Sequence, residues 1–163
     1  MADAPFVAIL MGSDSDLPVM ESTRKTLTDL GVAYEIRISS AHRTPEDTRA
    51  YVEDADARGC AAFIAAAGMA AHLAGAVSAH TVKPVIGVPI DSGPLQGFDA
   101  LLSTVQMPPG IPVATVAIGK AGATNAGFLA AQIIGVNDPA LRERLLQTRA
   151  EKADSIRAKN DDL

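Results

Sequence analysis

Apolar and polar residues are distributed along this chain in blocks. Phe6-Val7-Ala8-Ile9-Leu10-Met11 is a continuous apolar run that stops at Gly12, the pattern of a strand buried on both faces of a parallel sheet. Asp16 is placed to cap the helix that follows, with Pro18 in its first turn and Gly31 at its end. A second strand spans Ala33 to Ile38, and Thr44-Pro45 then opens a helix, Thr as N-cap and Pro at the first helical position, that runs to Arg58-Gly59. Further strands are predicted over Ala61–Ala67, Pro84–Val88 and Val113–Ile118, with helices over Ala70–Ala79, Gly97–Val105 and Asn125–Ile134. Asn137-Asp138-Pro139 caps a last, charged helix, residues 138–158, and the tail from Lys159 to Leu163 is expected to fray. Strand and helix alternate throughout, which predicts an α/β fold with a mainly parallel sheet covered on both faces. The alternation runs through residues 6–136 without repeat, low-complexity stretch or linker, so a single domain over residues 1–163 is expected, with the terminal helix appended to its core.

Two of these helices lack the polar stripe that an outer layer should show. Met69 to Ala79 has no charged residue on any face, and Ala126 to Ile134 is nearly as apolar. Something must cover them. In so short a chain the readiest cover is a second copy, which predicts a homo-oligomer; the alternative is that the terminal helix folds back over one of them.

Composition narrows the partners. Among 163 residues, Lys plus Arg is 14 and Asp plus Glu is 19, a net charge of −5. Nucleic acid is not expected as a partner, since neutralising several phosphates needs a basic face. The hydrophobic fraction of 48% supports a folded core rather than disorder. Cys60 is the one cysteine, which excludes an intrachain disulfide and a Cys-rich zinc site. No apolar run reaches the roughly 18–20 residues of a spanning helix, so no membrane partner is expected. Met1-Ala2-Asp3-Ala4-Pro5 lacks the basic region of a signal peptide, and a cytoplasmic location follows as the expectation.

In open α/β sheets, functional residues gather beyond the carboxyl ends of the strands. Here all five such loops are rich in polar or special-backbone residues, and the expectation is that they converge on one rim. Gly12-Ser13-Asp14-Ser15-Asp16 leads into a helix N-terminus, where free N–H groups and the dipole favour an anion. It lacks both the dinucleotide G-x-G-x-x-G spacing and the P-loop Gly-Lys-Ser/Thr, so a phosphomonoester fits it better than a pyrophosphate, with a carboxylate free to accept ribose hydroxyls. A plain capped turn is the competing reading. In Ser40-Ala41-His42-Arg43-Thr44, Arg43 has the wrong charge for a helix start, a cost of about 0.3–1 kcal/mol that a bound phosphate would offset. His42 beside it is the side chain best suited to move a proton near neutral pH. His72 lies just past the third strand and faces either the pocket or a structural hydrogen bond. His80 near a helix end and Lys120 are given no role. The three histidines are not spaced as metal ligands, and no metal is expected.

Four segments, in order, carry a resemblance: Gly12-Ser13-x-Ser15-Asp16, Ser40-Ala41-His42-Arg43-Thr44-Pro45, Ala70-Ala71-His72-Leu73, and Leu101-Leu102-Ser103-x-Val105-Gln106-Met107-Pro108. Together they resemble the class I N5-carboxyaminoimidazole ribonucleotide mutases. The resemblance implies a flavodoxin-like three-layer α/β/α sandwich, assembled as an octamer with sites built from neighbouring subunits. It implies reversible isomerisation of N5-carboxyaminoimidazole ribonucleotide to 4-carboxy-5-aminoimidazole ribonucleotide in purine (IMP) biosynthesis, without metal or organic cofactor, downstream of an ATP-dependent synthase. Carried over by position, Ser13, Ser15 and Asp16 would bind the ribose phosphate, Asp16 taking the ribose hydroxyls. Ser40 and Arg43 would hold the phosphate, His42 would be the acid/base, and the Gly68 to His72 loop, with Gly68, Met69, Ala70 and His72, would border the migrating carboxylate; Ala41 and Leu73 would complete the substrate-binding set. Two positions depart from the common pattern: Met69 stands where the family has a second Gly, and Ala74 where it has Pro. The related carboxylases that use free carbon dioxide typically carry Lys at the position of Arg43, and Arg-Ser-Asn in place of Met69-Ala70-Ala71. That enzyme, and a non-catalytic flavodoxin-like module for a phosphorylated ligand, are the alternative readings.

Overall fold

The computed structural model describes residues 5–160. The readings made on Met1–Ala4 and on Asp161–Leu163 lie outside them. Five strands, β1 (Phe6–Met11), β2 (Ala33–Ile38), β3 (Cys60–Gly68), β4 (Val85–Ile90) and β5 (Ala114–Thr115), form one sheet in the order β2-β1-β3-β4-β5. Every pairing is parallel. This is the flavodoxin-like doubly wound order, whose crevice opens between the first and third strands because the chain leaves them in opposite directions.

The period-two geometry of a strand sorts the apolar runs onto two faces. Val7, Ile9 and Met11 of β1 join Ile64, Ile86 and Val88 under α1 (Leu17–Asp29), α5 (Gly119–Gly135) and α6 (Pro139–Asn160). Ala8 and Leu10 join Phe63 and Ala65 on the opposite face, under α2 (Pro45–Ala57) and α3 (Leu73–Ser78). The remaining helix, α4 (Phe98–Val105), lies close on β4 because Gly87 has no side chain: a Cβ there would press into Thr104 and come within 2.9 Å of Val113 Cγ1.

Several local expectations need correction. Asp16 does not cap α1. A 3-10 turn, Asp14–Asp16, precedes the helix and is capped by Ser13, whose Oγ accepts the Ser15 N–H at 3.3 Å. Thr44 likewise makes no cap bond to α2; its hydroxyl is turned back to the Ser40 carbonyl at 3.1 Å and receives the Ser40 N–H at 3.3 Å. The helix expected at Ala70–Ala79 is only Leu73–Ser78, because Met69 takes a left-handed backbone and residues 69–72 form a loop. The fifth strand shrinks to two residues, and α5 begins at Gly119 rather than Asn125, which puts Lys120 on a helix. Lys159 and Asn160 are helical, not frayed.

The apolar stretch of α5 is covered from within the chain. Thr23 Oγ1 of α1 donates to the Ala123 carbonyl at 2.6 Å, and Gly127 lets α1 approach so closely that a Cβ there would stand 2.9 Å from Thr26 Cβ. On the other flank Leu141 and Leu145 of α6 join the same core as Ala130, Ala131 and Ile134. The Arg144 Nε–H donates to the Leu30 carbonyl at 2.9 Å, closing the end of α1. For this helix the fold-back reading is the correct one, and its smooth surface does not require a second copy.

Candidate functional site

The loops after β1, β2 and β3 meet at the crevice between β1 and β3. Each is fixed by its own sequence. Gly12 continues the sheet, donating to the Ala66 carbonyl at 3.0 Å, and Ser13, Ser15 and Asp16 follow at once. The Ser15 hydroxyl donates to Ser13 Oγ at 2.9 Å, so both hydroxyls cluster at the start of the 3-10 turn. On the neighbouring strand, Ser39 is tied by its N–H to the Met11 carbonyl at 2.8 Å and by its buried hydroxyl to Thr48 Oγ1 at 2.7 Å. From that anchor, Ser40 to Thr44 closes as a tight turn: Thr44 N–H donates to the Ser40 carbonyl at 2.8 Å and Arg43 N–H to Ser40 Oγ at 3.2 Å. His42 and Arg43 stand at its tip.

The third loop brings His72 to meet them. His42 Nε2 lies 2.7 Å from His72 Nδ1, with the rings edge to face at 85° and centroids 4.9 Å apart. One nitrogen must donate and the other accept, so the contact holds a single proton between two imidazoles. Positions thirty apart in sequence thus meet in the lining of a cavity of about 440 Å³.

All the residues expected at the site line this cavity: Ser13, Ser15, Asp16, Ser40, Ala41, His42, Arg43, Gly68, Met69, Ala70, His72 and Leu73. Its charges are divided. Arg43 is exposed and has no ion-pair partner among the described residues, leaving its guanidinium available to an anion. Asp16 is 5% exposed, and burial pushes its carboxyl above the ordinary value, opposed by hydrogen bonds from the Ser13 backbone and the Ser15 side chain and reinforced by Asp14. A carboxyl buried without a cationic partner is costly to keep charged, so ligand hydroxyls donating to it would be bound well.

Residues 6–155 match the model of the AIR carboxylase family. The chain belongs to the AIR carboxylase family. N5-carboxyaminoimidazole ribonucleotide mutases are among its relatives: that of Pyrococcus horikoshii is 55% identical over 88% of this chain and 80% of its own length. Those of Pseudomonas aeruginosa and Bacillus subtilis are each 49% identical, covering 92% of both chains and 98% of both chains respectively. The crystal structure of Treponema denticola PurE superposes with a TM-score of 0.89 at 31% identity, over 98% of this chain and 99% of that one.

Not every expected loop reaches the site of this AIR carboxylase family member. The turn after β5 does not line the cavity, and Lys120 borders a separate hollow with Glu21, Arg24 and Tyr34. Among the described residues, no three His, Cys, Asp or Glu side chains are grouped to hold a metal ion. Three lining residues were missed, Gly12, Ala67 and Ser92. Ser92 was legible only as a polar residue after the fourth strand; the structure presses its Oγ against the bare α-carbon of Gly68, which explains that glycine. Ser103 was part of a recognised segment without a role. Its hydroxyl accepts the Ala71 N–H at 3.0 Å and donates to the Asp99 carbonyl at 2.7 Å, strapping the loop that carries His72 to α4.

Proposed function

We propose that this chain is an N5-carboxyaminoimidazole ribonucleotide mutase, converting its substrate to 4-carboxy-5-aminoimidazole ribonucleotide in purine biosynthesis. The observation that carries the reading is the His42–His72 pair beside an anion-binding rim of Ser13, Ser15, Ser40 and Arg43. Arg43 and the serine donors hold the phosphate, and Asp16 accepts the ribose hydroxyls. The heterocycle then lies over the histidines, with its carboxylate towards Gly68, Met69, Ala70 and Leu73.

The chemistry follows from that placement. The N-carboxylate loses carbon dioxide as the C–N bond electrons return to nitrogen, which takes a proton. The ring carbon then attacks the retained carbon dioxide and gives up its own proton. A proton therefore has to travel from carbon to nitrogen within one bound molecule, and His42, with His72 behind it, is placed to carry it. The mutase relatives support this reading and lend nothing to a carboxylase using free carbon dioxide or to a non-catalytic module.

Assembly as a homo-octamer, function in the cytoplasm and coupling to the ATP-dependent synthase belong to the same proposal. Supporting the oligomer, Phe98, Leu102 and Val105 of α4 are 63%, 57% and 45% exposed, and Ile38 on edge strand β2 is 54% exposed, apolar surface that a second copy would cover. No helix among the described residues is long and apolar enough to cross a membrane.

The test is His42→Asn, which keeps a planar polar side chain but cannot shuttle a proton. Binding of the nucleotide product by calorimetry should persist while turnover falls by roughly 10²–10⁴. Undiminished turnover would remove His42 from the chemistry. Conversion of aminoimidazole ribonucleotide with bicarbonate, in preference to the N-carboxylated substrate, would reassign the enzyme.

A further inference from the structure

Ser39 and Thr48 are polar residues that the fold buries. Ser39, directly after β2, is 4% exposed, and Thr48, in the first turns of α2, is 1% exposed. Their hydroxyls meet at 2.7 Å. Thr48 does not need that contact. A helical threonine can satisfy its hydroxyl on the carbonyl four residues back, and here Oγ1 donates to the Thr44 carbonyl at 3.0 Å. Ser39 is the residue that needs a reason, because alanine in its place would bury no hydroxyl at all.

The hydrogens of this cluster can be assigned one by one, since each hydroxyl has only one to give. Thr48 gives its own to Thr44, so at the 2.7 Å contact Ser39 donates and Thr48 accepts. The Thr44 hydroxyl donates to the Ser40 carbonyl at 3.1 Å and accepts the Ser40 N–H at 3.3 Å. Ser40 follows Ser39 in the chain, so the bonds close a ring that runs from Ser39 to Thr48, Thr44, Ser40 and back. Ala41, His42 and Arg43 are the three residues strung between Ser40 and Thr44. The Ser39 N–H, bonded to the Met11 carbonyl at 2.8 Å, registers the ring on β1 immediately before Gly12 and Ser13.

We propose that Ser39 and Thr48 are positioning residues, whose buried hydrogen bond fixes the orientation of the His42–Arg43 turn relative to the sheet. The proposal rests on the mutase reading above, in which His42 moves the proton and Arg43 anchors the phosphate. Neither Ser39 nor Thr48 lines the cavity, so both act through the turn. Without their bond the turn keeps its internal contacts and loses one of its ties to α2. A hydrogen bond is directional where an apolar contact is not, and a misplacement of about 1 Å at the reacting groups can cost on the order of 10²-fold in rate.

The experiment compares Ser39→Ala, Thr48→Val and the double variant, reading kcat and KM for the N-carboxylated substrate and the melting temperature of each protein. Ser39→Ala breaks the bond and strands no donor, since Thr48 still donates to Thr44; Thr48→Val strands the Ser39 hydrogen, and the double variant removes both hydroxyls. Each single variant should lower kcat/KM on the order of tenfold, with kcat falling and KM rising together. Partial unfolding does not imitate this, because it reduces the number of active molecules and leaves KM where it was. The double variant should fall within about twofold of the weaker single one, because all three lack the same bond. Thr48→Ser keeps the hydroxyl and should recover both constants. Wild-type kcat and KM in Ser39→Ala, a loss confined to kcat that matches the unfolded fraction, or a double variant whose loss is the product of the single losses would overturn the positioning role and leave the mutase standing. Failure of the wild type to isomerise the substrate at all would overturn the mutase reading, and the role of the bond with it.

Discussion

Replacing Ser103 by alanine isolates the strap that positions the third loop. The substitution removes one oxygen from α4, outside the substrate cavity, and leaves the Ala71 N–H with no acceptor where Ala71 itself is 2% exposed. An unsatisfied buried donor costs about 1–3 kcal/mol, and the partly buried setting of this bond places the loss towards the lower end, about 1–2 kcal/mol. For a chain of this size each kcal/mol moves the melting temperature by about 2–4 °C, so a drop of about 2–8 °C is expected by calorimetry. A functional effect should accompany the structural one. The freed segment carries both Met69 and His72, and a loss of about 1.4 kcal/mol in transition-state alignment is tenfold in rate. On the proposed reading, in which the other two loops hold the phosphate, kcat should fall while KM changes little. Ser103→Thr keeps the hydroxyl and should recover both quantities. A Ser103→Ala protein that melts within about 1 °C of wild type and turns over at the wild-type rate would refute the strap and the claim that the loop is positioned from α4.

Two further outcomes are expected. Asp16→Asn should raise the stability of the unliganded protein while weakening its binding of the nucleotide. Since burial raises the folded carboxyl above its unfolded value of 3.8, the native state holds more protons between the two, and stability falls as pH rises through that window. The variant, lacking this charge, should melt above wild type near neutral pH, with the gap closing below the unfolded value; melts at several pH values check this, and a wild type that outlasts the variant at neutrality would contradict it. Cys60 is buried, with its thiol pushed up to about 11 by that burial, so it should resist alkylation until the chain unfolds. Its modification rate should track the unfolded fraction across a denaturant series, and rapid labelling of the native protein would contradict the placement.

The first strand was legible because burial on both faces leaves little room for ambiguity: Phe6 to Met11 has no polar position. Edge strand Ala33 to Ile38 was bounded correctly although Glu35 and Arg37 interrupt it and it lies largely exposed. What failed was local competition among polar groups. Asp16 and Thr44 are common capping residues, but Ser13 and Ser40 offered their hydroxyl and carbonyl at better geometry, and nothing in the spacing reveals which oxygen wins. The start of α5 was placed late because Gly119 and Gly122 read as loop residues. In the fold Gly122 is a contact residue, pressed against the Ala117 carbonyl where a methyl group would collide. The cavity's residues were legible individually, through charge at a helix start and through glycine and serine in loops. Their mutual geometry was not: the pairing of His42 with His72 depends on a crossover between strands, and the left-handed turn at Met69 depends on constraints from β4 and α4.

The edge-to-face histidines carry a consequence for the whole catalytic cycle. Two rings that meet nitrogen to nitrogen are bonded through one proton, which one nitrogen donates and the other accepts. An isomerisation that only relocates hydrogen inside its own substrate ends with the same inventory it began with. Such a device needs no exchange with bulk solvent to be ready for the next molecule, and it serves the forward and reverse directions equally.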